Sequence, residues 1–300
     1  MGDRTRIGID FGGTKMEGVV VSGPREALAV AERRRIPTEA AGGYAHILER
    51  TAAFIEELAG IAGESAPIGV GMPGSVTRNG LVKNSNTVCM NGRPFRSDLA
   101  RRLGRAPVFS NDANCFALAE ATMGAAAGLK LVFGAILGTG VGGGIVVDRA
   151  AREGPQSICG EWGHTILFPD GGRRCYCGQT GCVETYLAGP WIERHYGELG
   201  GAPGARLPEI LSRRGGGEEA ASLCVDTWLD AYGRAMANLI NVLDPDAVVL
   251  GGGVSNADVL YTEGRERVAK YLFSDELLTP ILRHALGDSA GVFGAALLVS

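Results

Sequence analysis

From Tyr44 to Ile61 the chain keeps one face. Tyr44, Ile47, Leu48, Thr51, Phe54, Ile55, Leu58 and Ile61 recur with a period of about 3.6, which predicts an amphipathic helix. Elsewhere the apolar runs are short and end at glycine. Thr5 to Phe11 runs into Gly12-Gly13 and resumes from Met16 to Val21, a pattern that predicts a strand hairpin. Ala27 to Ile36 offers a third strand. Ile68 to Met72 reads as a buried strand stopped by Pro73-Gly74, and Val108 to Ser110 as another. Ala113 to Ala127 has a helical pattern. Hairpin, strand, helix, strand, helix is the order of an α/β fold.

The pattern then restarts. Between Lys130 and Asp148 lie 17 uncharged residues, six of them glycine. The run is short for a membrane span and reads as two buried strands joined by a turn. When Ile7 to Val21 is set over Phe133 to Val147, five of fifteen positions are identical: Gly8/Gly134, Gly12/Gly138, Gly18/Gly144, Val20/Val146 and Val21/Val147. Apolar, glycine-rich strands match cheaply. The alternative is a duplicated fold, each half opening with a glycine hairpin. Further on, Asp226 to Leu243 reads as a long helix and Ala247 to Leu250 as a strand followed by Gly251-Gly252-Gly253. Gly215-Gly216-Gly217 lies between charged helical stretches, as a surface loop would.

Composition narrows the classes. The 300 residues suit two domains of ~150, with 45% apolar content. A net charge of −4, from 29 Lys+Arg against 33 Asp+Glu, argues against a nucleic-acid footprint. Glycine is the outlier at 47 residues, about twice the usual ~7%. Such an excess in a globular chain points to tight turns and close backbone approaches to ligands. Seven cysteines, an odd number, argue against a secreted disulfide framework. Met1 to Ile9 lacks the apolar stretch of a signal peptide. These features predict a cytoplasmic protein with no membrane partner.

Four clusters carry candidate chemistry. Gly12-Gly13-Thr14-Lys15 is not a Walker loop, because the Gly-Lys order is reversed and a strand follows. A glycine hairpin can still cradle phosphate through its amides. Asp10, at the strand end, could hold hydrated Mg²⁺ or merely cap the turn. Gly138, Gly140 and Gly143 match G-x-G-x-x-G, but the motif leads into a strand, so a second phosphate hairpin fits better than a dinucleotide site. Asn111-Asp112 either caps a helix or supplies a general base at a strand end. Finally, His164 with Cys175, Cys177 and Cys182 forms a Cys₃His set, a structural zinc type, within the loop 161–184. Glu161 and Glu184 flank it. Glu184 either favours the next helix's N-terminus or faces a polyol.

Asp10-Phe11-Gly12-Gly13-Thr14-Lys15, Asn111-Asp112, Leu137-Gly138-Thr139-Gly140, Glu161-x-Gly163-His164 and the cysteine loop with Glu184 together resemble the ROK (repressor, open reading frame, kinase) family, in order from residue 7 to about 297. The resemblance implies an actin-like, hexokinase-type duplicated two-domain fold with ATP and sugar in the interdomain cleft. It implies domains of 1–115 with 288–300 returning, and 116–287. It makes Asp112 the base and places Gly74, Asn111, Asp112, Glu161, His164 and Glu184 on the sugar. Asp10, Gly12, Gly13, Thr14, Lys15, Gly138, Thr139 and Gly140 meet the phosphates, and Gly251, Gly252 and Gly253 lie near adenosine. ATP, Mg²⁺ and structural Zn²⁺ are the implied cofactors, and a homodimer the implied assembly. One departure is visible: Tyr176 stands between Cys175 and Cys177, where many members carry a small or polar residue.

Three functions compete: hexose kinase, sugar-responsive repressor and non-catalytic sugar sensor. Repressors carry a helix-turn-helix ahead of the first hairpin, and only nine residues precede Asp10. A sensor needs no base, yet Asn111-Asp112 is intact. The kinase reading therefore leads. Val82 to Asn86 and Asn91 to Phe95 look most like bacterial fructokinases, with N-acetylglucosamine kinases and glucose or mannose kinases as alternatives. Asn84, Asn86 and Asn91 are expected to give a polar wall suited to hydroxyls, so fructose is the expected acceptor of phosphate at its 6-hydroxyl.

Overall fold

The computed structural model describes residues 4–299. The first three residues of the stretch read for a signal peptide, and Ser300, lie outside them. The described chain forms two units, one holding residues up to 130, 144–159 and 285 onward, the other 131–143 and 160–284. The chain thus passes between units at 130/131, 143/144, 159/160 and 284/285, where the sequence reading placed crossings after 115 and 287. A boundary at 115 would cut helix α3 (Asp112–Met123), which packs along its length on helix α9 (Ala290–Leu297) of the same unit.

In the first unit, β1 (Arg6–Phe11) and β2 (Lys15–Ser22) form the expected hairpin, with β3 (Ala29–Pro37) beside β2. β4 (Ile68–Met72) and β7 (Val108–Asn111) continue the sheet in parallel, giving the order β3-β2-β1-β4-β7. β5 (Ser75–Val76) and β6 (Val82–Lys83) make a small separate hairpin. Alternation along β1 decides the layers. Ile7, Ile9 and Phe11 join Ile47, Phe54, Ile55 and Leu58 of α1 (Gly43–Ala62) in one core. Gly8 and its β4 neighbour Gly69 instead admit α9: a Cβ at Gly69 would stand 1.8 Å from Ala295 O. The glycine excess serves here to bring helix backbone onto sheet backbone. Helix α2 (Phe95–Leu103) was not foreseen, since only Phe95 and Leu99 of its nine residues are buried.

The second sheet contains β8 (Leu131–Leu137), β9 (Val141–Val147), β10 (Ala150–Ala151), β11 (Ala247–Gly251) and β12 (Ile281–Arg283). Its order, β10-β9-β8-β11-β12, reproduces β3-β2-β1-β4-β7 position for position, with an antiparallel edge and a parallel remainder. Chance similarity of two hairpins gives no reason for a shared topology; duplication does. Helices α4 (Glu184–Leu187), α5 (Gly189–Glu198), α6 (Leu207–Gly215), α7 (Glu219–Leu243) and α8 (Glu263–Tyr271) belong to the second unit, whereas residues 144–147 of β9 and all of β10 are counted with the first. α7 begins seven residues before the expected Asp226. The two sheet-bearing lobes define the actin-like α/β fold of the hexokinase and hsp70-type ATPases. No helix among the described residues is long and apolar enough to cross a membrane.

Candidate active site

Asn111 ends β7 and Asp112 opens α3, so both stand at the carboxyl end of a parallel strand, where α/β sheets bind ligands. Asn111 does cap the helix: its Oδ1 accepts from Ala113 N at 2.8 Å. Its Nδ2 also donates to Gly74 O at 2.9 Å, tying the turn after β4 to the start of α3. Gly74 has a φ of 87°, and a Cβ there would lie 2.5 Å from Lys83 O, so only glycine fits this turn. Asp112 accepts from Ala113 N at 2.9 Å. Burial pushes its carboxyl above the ordinary carboxylate range, against the opposing pull of that N–H, its own N–H and Asn111. A carboxylate shifted this way is suited to general-base work.

Asp10, on β1 of the same unit, is pushed up to about 7, first by burial and then by the Asp112 and Glu17 carboxylates. α9 reaches it closely: a Cβ at Gly291 would stand 2.9 Å from Asp10 Oδ2. Sequence reasoning missed Gly291, which no motif marked. Mg²⁺ is held by one or two carboxylates with several of its waters retained, and Asp10 offers such a carboxylate. At the hairpin tip, Thr14 and Lys15 are exposed, while the Gly12 N–H closes the hairpin on Lys15 O at 2.9 Å. Gly12 therefore shapes this turn and has no N–H left for a phosphate.

In the second unit, Glu161 to His164 form a tight turn clamped onto β9. Trp162 Nε1 donates to Gly142 O at 2.7 Å, and its ring meets Phe133 edge to face at 5.7 Å. A Cβ at Gly163 would lie 2.0 Å from Val141 O, so the glycine is demanded by the contact. The turn delivers His164 to the cysteines. His164 Nδ1 is 3.7 Å from Cys175 Sγ, and Cys177 Sγ is 3.6 Å from Cys182 Sγ. All four ligand atoms lie within 4.8 Å of one another. A tetrahedron with Zn–S of about 2.3 Å and Zn–N of about 2.0 Å has edges near 3.5–3.8 Å, so the donor set fits zinc. Four protein donors would close the shell, as in structural sites. Glu184 is buried at the start of α4, and its Oε2 accepts from Val141 N at 2.9 Å.

A cavity of about 460 Å³ lies entirely within the second unit. Gly138 and Thr139 of the β8–β9 turn, the amino ends of α5 and α6, and Gly253 after β11 line it. It stands at the carboxyl ends of the parallel strands β8 and β11, and helix amino ends favour anions. Of the triple glycine, Gly251 lies buried in β11, whereas Gly252 has a φ of 83° and packs on Leu137 O. Only Gly253 lines the cavity. Sequence reasoning missed Glu193, Arg206 and Asn256 on its wall. Pro190 and Pro208, in the first turns of α5 and α6, were the available signal.

Of the three asparagines expected to form a polar wall, Asn84 and Asn86 are exposed and Asn91 is already paired. Asn91 spends both polar atoms on Ser85, accepting from its N–H at 2.9 Å and donating to its carbonyl at 3.0 Å. The segment is a turn that closes on itself.

Comparison with known proteins agrees with this architecture. The ROK family model matches residues 6–300. The chain is 36% identical over 306 residues to N-acetyl-D-glucosamine kinase of Salmonella newport (strain SL254), covering 97% of this chain and 98% of that protein. A ROK hexokinase from Thermus thermophilus superposes with a TM-score of 0.87 at 33% identity, over 98% and 97% of the two chains. A ROK family glucokinase from Streptomyces griseus, solved with glucose and AMPPNP, gives 0.76 at 26% identity, over 98% and 99%. The chain belongs to the ROK family, as an ATP-dependent sugar kinase. None of these relatives is named for fructose, so the fructokinase resemblance of the segments around Asn84 and Asn91 is not upheld at that level.

Proposed function

We propose that this protein transfers the γ-phosphate of ATP to the 6-hydroxyl of N-acetyl-D-glucosamine. The observation that carries the choice of sugar is the 36% identity, over nearly the full length of both chains, to N-acetyl-D-glucosamine kinases. With Asn91 paired to Ser85, one of the three asparagines behind the fructose reading is withdrawn. Asp112 takes the proton of the attacking hydroxyl, an effect worth ~10²–10⁴ in rate. Gly74, Asn111, Glu161, His164 and Glu184 hold the sugar, with Asn111 fixing the Gly74 turn. The adenosine of ATP occupies the cavity behind Gly138, Thr139 and Gly253, and its phosphates meet Gly13, Thr14 and Lys15 and the Gly138–Gly140 turn.

Asp10 would hold Mg²⁺ through water, and the ion would offset charge on the transferring phosphoryl group. His164, Cys175, Cys177 and Cys182 would hold Zn²⁺, which cross-links the loop that carries Glu161 and Glu184. The test is to incubate the protein with ATP, Mg²⁺ and N-acetyl-D-glucosamine and identify the product by phosphorus and carbon NMR. A 6-phosphate supports the proposal; phosphate at another position, or none, refutes it.

A further inference from the structure

Glu193 of α5 and Arg206, just before α6, are the charged residues on the wall of the cavity in the second unit. Pro190, Pro208, Leu211, Val254 and Ala257 make much of the rest apolar. The carboxylate is fixed from one side. Its Oε1 stands 3.0 Å from Arg206 Nε and accepts from the Leu207 N–H at 3.4 Å. Its Oε2 accepts no hydrogen bond from the described residues. The Glu193 side chain is only 17% exposed. An oriented, largely shielded acceptor in an apolar wall is stabilised by a donor and costs free energy without one. Its place along α5 says which donor. Gly189, the first residue of α5, donates its N–H to Gly138 O at 2.8 Å, so this end of the helix adjoins the proposed phosphate turn. Glu193 follows about one helical turn later, ~6 Å along the axis. In a nucleotide the ribose comes directly after the phosphates, and the base lies beyond it.

We propose that Glu193 is a specificity-determining residue for the nucleotide, its carboxylate accepting from the vicinal 2′- and 3′-hydroxyls of the ribose. The inference rests on placing adenosine in this cavity and not on the identity of the sugar. A carboxylate oxygen can accept from both hydroxyls at once, and bonds to a charged acceptor are the stronger kind. Arg206 and the Leu207 N–H hold the other oxygen, so the carboxylate is already turned when the nucleotide arrives.

ADP and 2′,3′-dideoxyADP differ only in these hydroxyls. Each is titrated with Mg²⁺ into the full-length chain, without sugar, by isothermal calorimetry. The unmodified chain is expected to bind ADP about tenfold more tightly than 2′,3′-dideoxyADP, the lower end for hydrogen bonds to a charged group. In Glu193→Ala the preference should fall to about twofold or less, with the affinity for 2′,3′-dideoxyADP unchanged. Glu193→Gln keeps the shape and loses the charge, so it should show an intermediate preference. Should Glu193→Ala fail to fold, Glu193→Gln decides alone, and an undiminished preference there overturns the proposal. Equal binding of the two nucleotides by the unmodified chain overturns the proposal while leaving adenosine in the cavity. A preference that survives in Glu193→Ala overturns it too. So does an equal loss of both nucleotides in that variant, which assigns Glu193 a structural role. A chain that binds no ADP refutes the placement of adenosine, and the proposal with it.

Discussion

Val141 donates its backbone N–H to Glu184 Oε2 at 2.9 Å. The strand that leaves the Gly138–Gly140 turn is thereby tied to the glutamate two positions after Cys182. The strand after the Gly138–Gly140 turn and the candidate zinc loop share this bond, and it depends on glycine. A Cβ at Gly140 would stand 2.8 Å from the same oxygen. Gly140→Ala therefore displaces the carboxylate and leaves a buried N–H without its partner, at a cost of about 1–3 kcal/mol. The expected outcome is a Tm lower by several degrees and a sugar KM raised several-fold. Thermal unfolding and steady-state kinetics check it, and unchanged values in both would remove the bond from the account.

Asp112→Asn preserves size and the bond from Ala113 but cannot accept a proton. kcat should fall by at least ~10² while sugar affinity changes little. Stopped assays with isotopically labelled ATP have the range to see this.

The pH profile follows from the same residue. Burial raises the Asp112 pKa above its usual value. The base works only when ionised, so kcat should rise with pH and fall away on the acid side. That acid limb should lie above the pH at which an ordinary exposed carboxylate titrates. A kcat flat down to the ordinary carboxylate range would contradict the role of Asp112.

Metal removal supplies a further check. One zinc per chain is expected at His164, Cys175, Cys177 and Cys182, and its ligation is coupled to the folding of the loop. Chelation should lower Tm and sugar affinity together, and added Zn²⁺ should restore both. Elemental analysis of an active preparation without zinc, or a chelated chain with unchanged affinity, would count against it. Cys177→Ser should mimic the chelated state.

Much of the site was legible because its chemistry is local. His164 and the three cysteines sit within nineteen positions of sequence, and tetrahedral zinc tolerates few other donor sets. The β1–β2 and β8–β9 hairpins were legible because apolar runs stop at glycine, and the shared strand order then decided for duplication over chance. What stayed hidden depends on distant parts of the chain. Nothing local marks Gly291, whose need for glycine comes from Asp10 across the unit. α5 and α6 lacked a long apolar period, and with them went Glu193 and Arg206. Asn91 misled because composition does not say which polar atoms are already paired. Asn91 is fully used by Ser85.

The central claim is best tested by kcat/KM for N-acetyl-D-glucosamine against fructose, glucose and mannose under one ATP–Mg²⁺ condition. A site built to bind particular polar groups rejects sugars that leave them unpaired, by factors reaching ~10⁴. The account predicts the highest kcat/KM for N-acetyl-D-glucosamine, at least tenfold above fructose. A preference for fructose, glucose or mannose would contradict it.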